Sequence, residues 1–189
     1  ANPCGKLPDT FARDLDDYPS TEHFHDSTDY VEYAEDVYVG YRYFETLPGA
    51  AERVCYPFGF GLSYTRFALE VLEAGAENGI IQIRTQVTNT GDRAGKEVVQ
   101  LYFCPPKGLL QKPSRNLTAF RKTGLLGPGE SETVTLSFAV SDMASFDDLG
   151  KIAPSAWVLE KGRYDLYLGT SVRDVEKLDF ARPGHWSPD

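Results

Sequence analysis

From Phe67 onward the chain places an apolar residue at every second position in a series of short runs. Ile81, Ile83, Thr85 and Val87 fall on one side of the clearest run, with Gln82, Arg84, Gln86 and Thr88 on the other. Phe67, Leu69 and Val71 precede it on the same rhythm. Val99, Leu101 and Phe103 follow, then Val134, Leu136, Phe138 and Val140, and finally Tyr164, Leu166 and Leu168. A period of two with one apolar side describes an antiparallel strand that buries one face and wets the other. A helix-period stripe would need apolar residues three and four apart, and these runs do not supply them.

Turn-forming residues separate the runs: Asn89-Thr90-Gly91-Asp92, Pro105-Pro106, Gly127-Pro128-Gly129 and Lys161-Gly162. About seven strands in roughly 115 residues predict an immunoglobulin-like or fibronectin type III-like antiparallel β-sandwich, an all-β fold. Two longer connections interrupt it, Lys107 to Arg115 and Ser141 to Ser155. Within the second, Met143 to Asp148 reads as a short helical turn.

Residues 1–66 read differently. Pro3, Pro8 and Pro19 stand among Asp, Ser and Thr residues, with no sustained period. Aromatic residues then crowd in at Tyr30, Tyr33, Tyr38, Tyr41, Tyr43 and Phe44, and again in Tyr56-Pro57-Phe58-Gly59-Phe60-Gly61. Such a segment has rings to bury but few regular elements to bury them in. It is expected to wrap its neighbour or to lie against another domain. Residues 183–189 form a tail, in which Trp186 would be exposed or covered by a neighbour.

The formal charge of −9 repels phosphate backbones and anionic lipids, so nucleic acid is excluded as a partner. No apolar run approaches the roughly 20 residues of a membrane span, and no membrane partner is expected. Cys4, Cys55 and Cys104 are too few for a disulfide framework, although a Cys4–Cys55 bridge is open on sequence grounds. Free cysteines favour a cytoplasmic setting over a secreted one. The chain opens Ala1-Asn2-Pro3, without an initiator Met or a signal region, and reads as a cut inside a longer protein.

No constellation in the sequence reads as a catalytic, cofactor or metal site. Glu35 and Asp36 lie near Arg42, and the expected role is an ion pair that pins the aromatic segment. His23 and His25, with Asp26, supply too few ligands for a metal. Asp142, Asp147 and Asp148 lack the spacing of a calcium loop and suit a turn capping a short helix. Gly59 and Gly61 lack the Lys and the helix of a phosphate cradle, and fit a tight turn with no room for Cβ. Asn116-Leu117-Thr118 is a sequon, relevant only in a glycosylating pathway. Trp157 is expected in the sandwich core or at its edge. An alternative function, binding of oligosaccharide, would need a planar row of exposed rings, for which Tyr102, Trp157 and Tyr167 are the candidates.

Four ordered stretches carry a resemblance. Asn2-Pro3-Cys4-Gly5-Lys6-Leu7-Pro8-Asp9-Thr10-Phe11 is similar to a segment of family 3 glycoside hydrolases, with Cys4 where Ser is usual. Tyr33 to Phe44 (YAEDVYVGYRYF) and Tyr56 to Thr65 (YPFGFGLSYT) resemble two further signatures of that family. Val87 to Gly91, with Gly95 to Tyr102 (GKEVVQLY), resembles the start of the fibronectin type III-like domain that closes many of its members.

The resemblance implies a β-glucosidase-like enzyme with a barrel domain bearing a nucleophilic Asp and an α/β sandwich domain that supplies the acid/base Glu. Residues 1–66 would be the end of the α/β sandwich domain and its exit, and residues 67–182 the fibronectin type III-like domain. The segments bearing the two catalytic carboxylates would lie elsewhere. The implied partners are the barrel and α/β sandwich domains of the same enzyme, with no cofactor. The chain alone would then not cleave a glycoside.

Overall fold

The computed structural model describes residues 1–24 and 26–179. Among the described residues, nine strands from Phe67 onward build two antiparallel sheets and one hairpin. β3 (Phe67–Glu77), β4 (Ile80–Asn89) and β7 (Ser131–Ala139) form a three-stranded sheet in the order β3–β4–β7. β5 (Val98–Cys104), β6 (Asn116–Lys122), β10 (Asp165–Gly169) and β11 (Val175–Lys177) form a four-stranded sheet in the order β11–β10–β5–β6. β8 (Ser145–Asp147) and β9 (Ala156–Val158) make a separate hairpin. The expected all-β sandwich is the architecture observed.

The alternation does what its period requires. Ile81, Ile83, Thr85 and Val87 all turn inward and are buried, as are Val134, Leu136 and Phe138 opposite them. They meet Val99, Leu101, Phe103, Leu166 and Leu168 from the second sheet in one core. Each fully buried Val or Leu contributes about 1.5–3 kcal/mol of transfer free energy, so this face holds the sheets together. β3 and β4 are joined by the two-residue turn Asn78-Gly79, both residues with positive φ, at 51° and 75°. That is the turn whose twist matches the strands it joins.

Three features depart from the sequence reading. The turn of 3₁₀ helix lies at Val140–Met143, not within 143–148, because Ser145 to Asp147 are drawn into β8 by pairing with β9. β6 and β11 join the four-stranded sheet although neither alternates strongly. The third departure is in β5, where Val99 to Phe103 are buried without a break, Gln100 and Tyr102 included. Both faces of that strand are therefore covered.

Residues 1–66 provide the second cover. They form a short pair of strands, β1 (Phe11–Ala12) with β2 (Val54–Tyr56), and one helix, α1 (Tyr41–Thr46). Although the segment has few regular elements, Phe44, Ala50 and Val54 make a small buried cluster with Tyr18, Tyr43 and Leu47 against it. Two aromatic edges close it, Tyr18 and Tyr43 each standing nearly perpendicular to Phe44.

Candidate functional site

Residues 1–66 meet the outer face of the four-stranded sheet along a seam. α1 sets its centre. Tyr41 packs on Phe58 with ring centroids 4.7 Å apart and meets the edge of Tyr102 at 6.3 Å. Its hydroxyl also accepts the Leu117 N–H at 2.9 Å, which ties α1 to strand β6.

Beneath Tyr41 lies a buried polar network. The Tyr102 hydroxyl donates to Gln100 Oε1, and Gln100 Nε2 donates to the Thr170 carbonyl at 2.8 Å. Burial, with Tyr41 beside it, drives the Tyr102 phenol far above its ordinary value, so it stays a neutral donor. Gly59 backs directly onto this pair. Its φ of +79°, and the 2.6 Å that would separate a Cβ from Gln100 Oε1, leave room only for glycine. Gly61 is hemmed in likewise by the Gly5 carbonyl, 2.4 Å from where a Cβ would stand. Both glycines serve the tight turn expected of them.

Polar clasps surround this centre. Ser114 Oγ donates to the Glu45 carbonyl at 2.7 Å, while the Ser114 N–H donates to Thr46 Oγ1 at 2.9 Å. Arg173 bridges Glu45 Oε1 at 2.8 Å and the Ala51 carbonyl at 2.9 Å. The Val172 N–H reaches the Phe58 carbonyl at 3.0 Å, and Leu7 exchanges two backbone bonds with Gly59 and Phe60. At the far end Lys6 pairs with Glu97 at 2.8 Å, and Thr65 donates to the buried Asn89 side chain at 2.6 Å. Asn89 passes this inward by donating to the Arg93 and Leu126 carbonyls. Backbone-directed bonds of this number fix one register and one orientation.

Several large apolar side chains of this segment stay uncovered. Phe11, Leu15, Tyr30, Val31 and Tyr33 are exposed, Tyr33 to 87%.

The residues singled out in the sequence fall in scattered places. Arg42 does not pair with Glu35 or Asp36. The chain reverses at Asp36 (φ 53°) and Gly40 (φ 58°), which separates the acids from the guanidinium, and Arg42 lies instead over the Tyr41 ring at 5.8 Å. Its Nε is buried without a hydrogen-bond partner. His23 contacts Asp26 at 3.3 Å, and His25 lies outside the described residues, as does Trp186. Among the described residues, no group of three or more His, Cys, Asp or Glu side chains could hold a metal, and no helix is long and apolar enough to cross a membrane. Cys4, Cys55 and Cys104 are all free thiols, so the Cys4–Cys55 bridge is absent. Asn116 donates to the Pro113 carbonyl from the start of β6.

The proposed row of rings is not there. Tyr102 is fully buried, and Tyr167 lies under the Arg115 guanidinium at 4.7 Å. Trp157, expected in the core, is instead 73% exposed on β9. The sandwich core closes without it, because β8 and β9 form a hairpin outside the two sheets. Asp142 accepts the Ala139 N–H, while Asp147 is buried and accepts N–H groups from Lys151, Ile152 and Ala153. Gln100, Ser114, Arg115 and Arg173 hold this seam and its surroundings without a local motif that announces them. The one available signal was the run Val98 to Phe103, whose Gln and Tyr occupy the supposedly wet side of a strand.

Residues 97–172 match the family model of the fibronectin type III-like domain. β-Glucosidase A of Butyrivibrio fibrisolvens is 56% identical over 95% of the chain, and a β-glucosidase of Ruminococcus albus is 46% identical over 93%. The solved β-glucosidase of Paenibacillus barengoltzii superposes on the whole chain with a TM-score of 0.92 at 46% identity.

The chain belongs to glycoside hydrolase family 3. It corresponds to the C-terminal, fibronectin type III-like part of the family's β-glucosidases. It spans only 23% and 18% of the two curated family 3 relatives and 20% of the Paenibacillus structure. β-Glucosidase 3B of Thermotoga neapolitana, solved with α-D-glucose, covers 98% of the chain at a TM-score of 0.84 and 43% identity, and the chain spans 24% of it. Family 3 membership thus extends across residues 1–66 as well as the sandwich.

Proposed function

We propose that this chain is the C-terminal accessory portion of a β-glucosidase, holding the catalytic domains in place without cutting sugar itself. In this reading residues 1–66 close the α/β sandwich domain, residues 67–182 form the fibronectin type III-like domain, and residues 183–189 are a tail. The partners are the barrel and α/β sandwich domains of the same enzyme.

The observation that carries this reading is that residues 1–66 are clasped to the sandwich by Tyr41, Ser114 and Arg173, yet leave the large rings Phe11, Tyr30 and Tyr33 exposed to solvent. Rings of this size release free energy at about 25 cal/mol per Å² when covered, enough for a stable contact between domains. A retaining glycosidase also needs two carboxyl groups about 5 Å apart and open to substrate. The buried acid Asp147 is instead spent on backbone N–H groups, and Glu160 on Leu109, Leu110 and Lys112.

The test is kinetic. The purified 189-residue chain should not turn over an aryl β-glucoside. Turnover that disappears on substituting one of its own carboxylates, such as Glu35→Gln or Asp36→Asn, would overturn the proposal.

A further inference from the structure

Among the described residues, two buried side-chain nitrogen or oxygen atoms have no hydrogen-bond partner, Thr10 Oγ1 and Arg42 Nε. Native proteins leave few such atoms, and each needs a cause. Both belong to residues 1–66 and neither to the sandwich. They lie near one another in the fold. Asp9 Oδ1 is 3.3 Å from where a Cβ would stand on Gly40, so the stretch carrying Thr10 abuts the turn into α1.

Arg42 is the more telling of the two, because it carries a charge. Its guanidinium is laid over the Tyr41 ring at 5.8 Å, and only Nε is enclosed, so the two terminal nitrogens stay open as an unoccupied fork. The carboxylates nearest along the chain are engaged or turned away. Glu45 pairs with Arg173 at 2.8 Å, and Asp9 accepts the Thr10 N–H at 2.7 Å. Glu35 and Asp36 are separated from Arg42 by the reversals at Asp36 and Gly40.

The run leading into α1 leaves Tyr30, Val31, Tyr33, Val37 and Val39 exposed, and the Val39 carbonyl accepts the Arg42 N–H at 3.2 Å. A body that covers this run takes water away from Arg42 as well. An unpaired cation in that position is strongly unfavourable, whereas an opposite charge a few ångströms away gains as water leaves. The cover must therefore bring an anion. The chain spans only 23% and 18% of its curated relatives, so most of the enzyme is available to supply one. A net charge of −9 works against a second copy of the chain and against a polyanion.

We infer that Arg42 is a docking point for an Asp or Glu carboxylate carried by the part of the β-glucosidase that lies outside this chain. The two terminal nitrogens would each donate to one carboxylate oxygen, an arrangement that fixes orientation as well as contact. This rests on the accessory role proposed above and names the chemistry of the surface that meets residues 1–66.

The Tm of the complete enzyme, set against that of the 189-residue chain, tests it. Arg42→Met keeps the apolar stem and removes the charge. It should lower the complete enzyme's Tm by several degrees and leave the isolated chain's unchanged. Arg42→Glu should lower the complete enzyme's Tm further, because two carboxylates would then face each other. Arg42→Lys should fall between wild type and Arg42→Met, since it keeps the charge without the planar fork. KM for an aryl β-glucoside should hold its wild-type value throughout, and a raised KM would place Arg42 at the substrate instead. The inference is overturned if Arg42→Met costs both proteins equally, which makes the residue a local stabiliser. It is overturned too if Arg42→Met and Arg42→Glu cost the complete enzyme the same, which makes the facing surface neutral. A phosphate-dependent rise in the isolated chain's Tm that Arg42→Met removes would reassign the fork to a small anion, and a dimer that Arg42→Met dissolves would reassign it to a second copy. Tyr30→Ser with Tyr33→Ser separates this failure from that of the accessory reading. If that pair lowers the complete enzyme's Tm and Arg42→Met does not, the inference fails alone. If neither does, the accessory reading fails with it.

Discussion

Tyr41 stands edge-on to Tyr102, their planes 81° apart, so that a helix from the first third of the chain and a central strand of the sandwich share one aromatic joint. Tyr41→Ala removes that joint, the packing on Phe58 and the acceptor for the Leu117 N–H together. The expected cost is about 3–5 kcal/mol, as for other large-to-small ring deletions. Hydrogen exchange should show protection lost first at Leu117 and Val172, while the Ile83 and Leu136 amides remain slow.

Gly59→Ala and Gly79→Ala separate crowding from backbone strain. Both glycines have positive φ, +79° and +75°, but only Gly59 has Gln100 and Ser171 where the new Cβ must go. Gly79→Ala should therefore cost about 1 kcal/mol, the conformational cost alone. Gly59→Ala should cost about 1–3 kcal/mol more, because packed neighbours must shift. Equal Tm losses in thermal melts of the two variants would show that the turn at Gly59 is not wedged against β5.

Acid should loosen the loops around the hairpin before it melts the core. Burial opposes ionisation of both Asp147 and Glu160. The Ile152, Ala153, Lys151 and Gly150 N–H groups nevertheless pull Asp147 below the usual carboxylate range, and Lys112 with the Leu109 and Leu110 N–H groups does the same for Glu160. A depressed folded-state value gives stability that is present in full above the unfolded values, about 3.9 for Asp and 4.3 for Glu, and is lost as pH falls through the folded ones. Tm should therefore hold steady from neutrality down to about pH 5 and fall below about pH 4. In Glu160→Gln the starting Tm should be lower and its further drop in acid smaller, as calorimetry across that range would show.

Tyr30→Ser combined with Tyr33→Ser should leave the isolated chain's unfolding free energy within about 0.5 kcal/mol of wild type, since both rings face solvent. In the complete enzyme the same pair should lower the unfolding temperature and increase susceptibility to proteolysis, with little change in KM. An unaffected complete enzyme would show that no domain rests on these rings.

The fold was legible wherever one face of a strand is wet. Ile81 to Val87 and Val134 to Phe138 could be read as strands from alternation alone, and the structure turns those residues inward. Legibility failed where a second layer covers a strand. Gln100 and Tyr102 look like a solvent side, yet both are buried because residues 1–66 lie over them, and a local period cannot report a neighbour sixty residues away. Trp157 failed for the opposite reason: a large ring usually fills a core, and nothing local announces a hairpin standing outside both sheets. Arg42 shows the same limit, since proximity in sequence to Glu35 and Asp36 says nothing about a reversal at Gly40.

The double cover on β5 has an evolutionary corollary. Sandwich modules that spread between proteins need an outer face that tolerates water, so that they can be spliced behind any host. Here that face holds Gln100, Tyr102 and Val172, matched to one particular stretch of preceding chain. A recombination junction placed near Phe67 would therefore yield a sandwich with a raw flank at Gln100 and Tyr102.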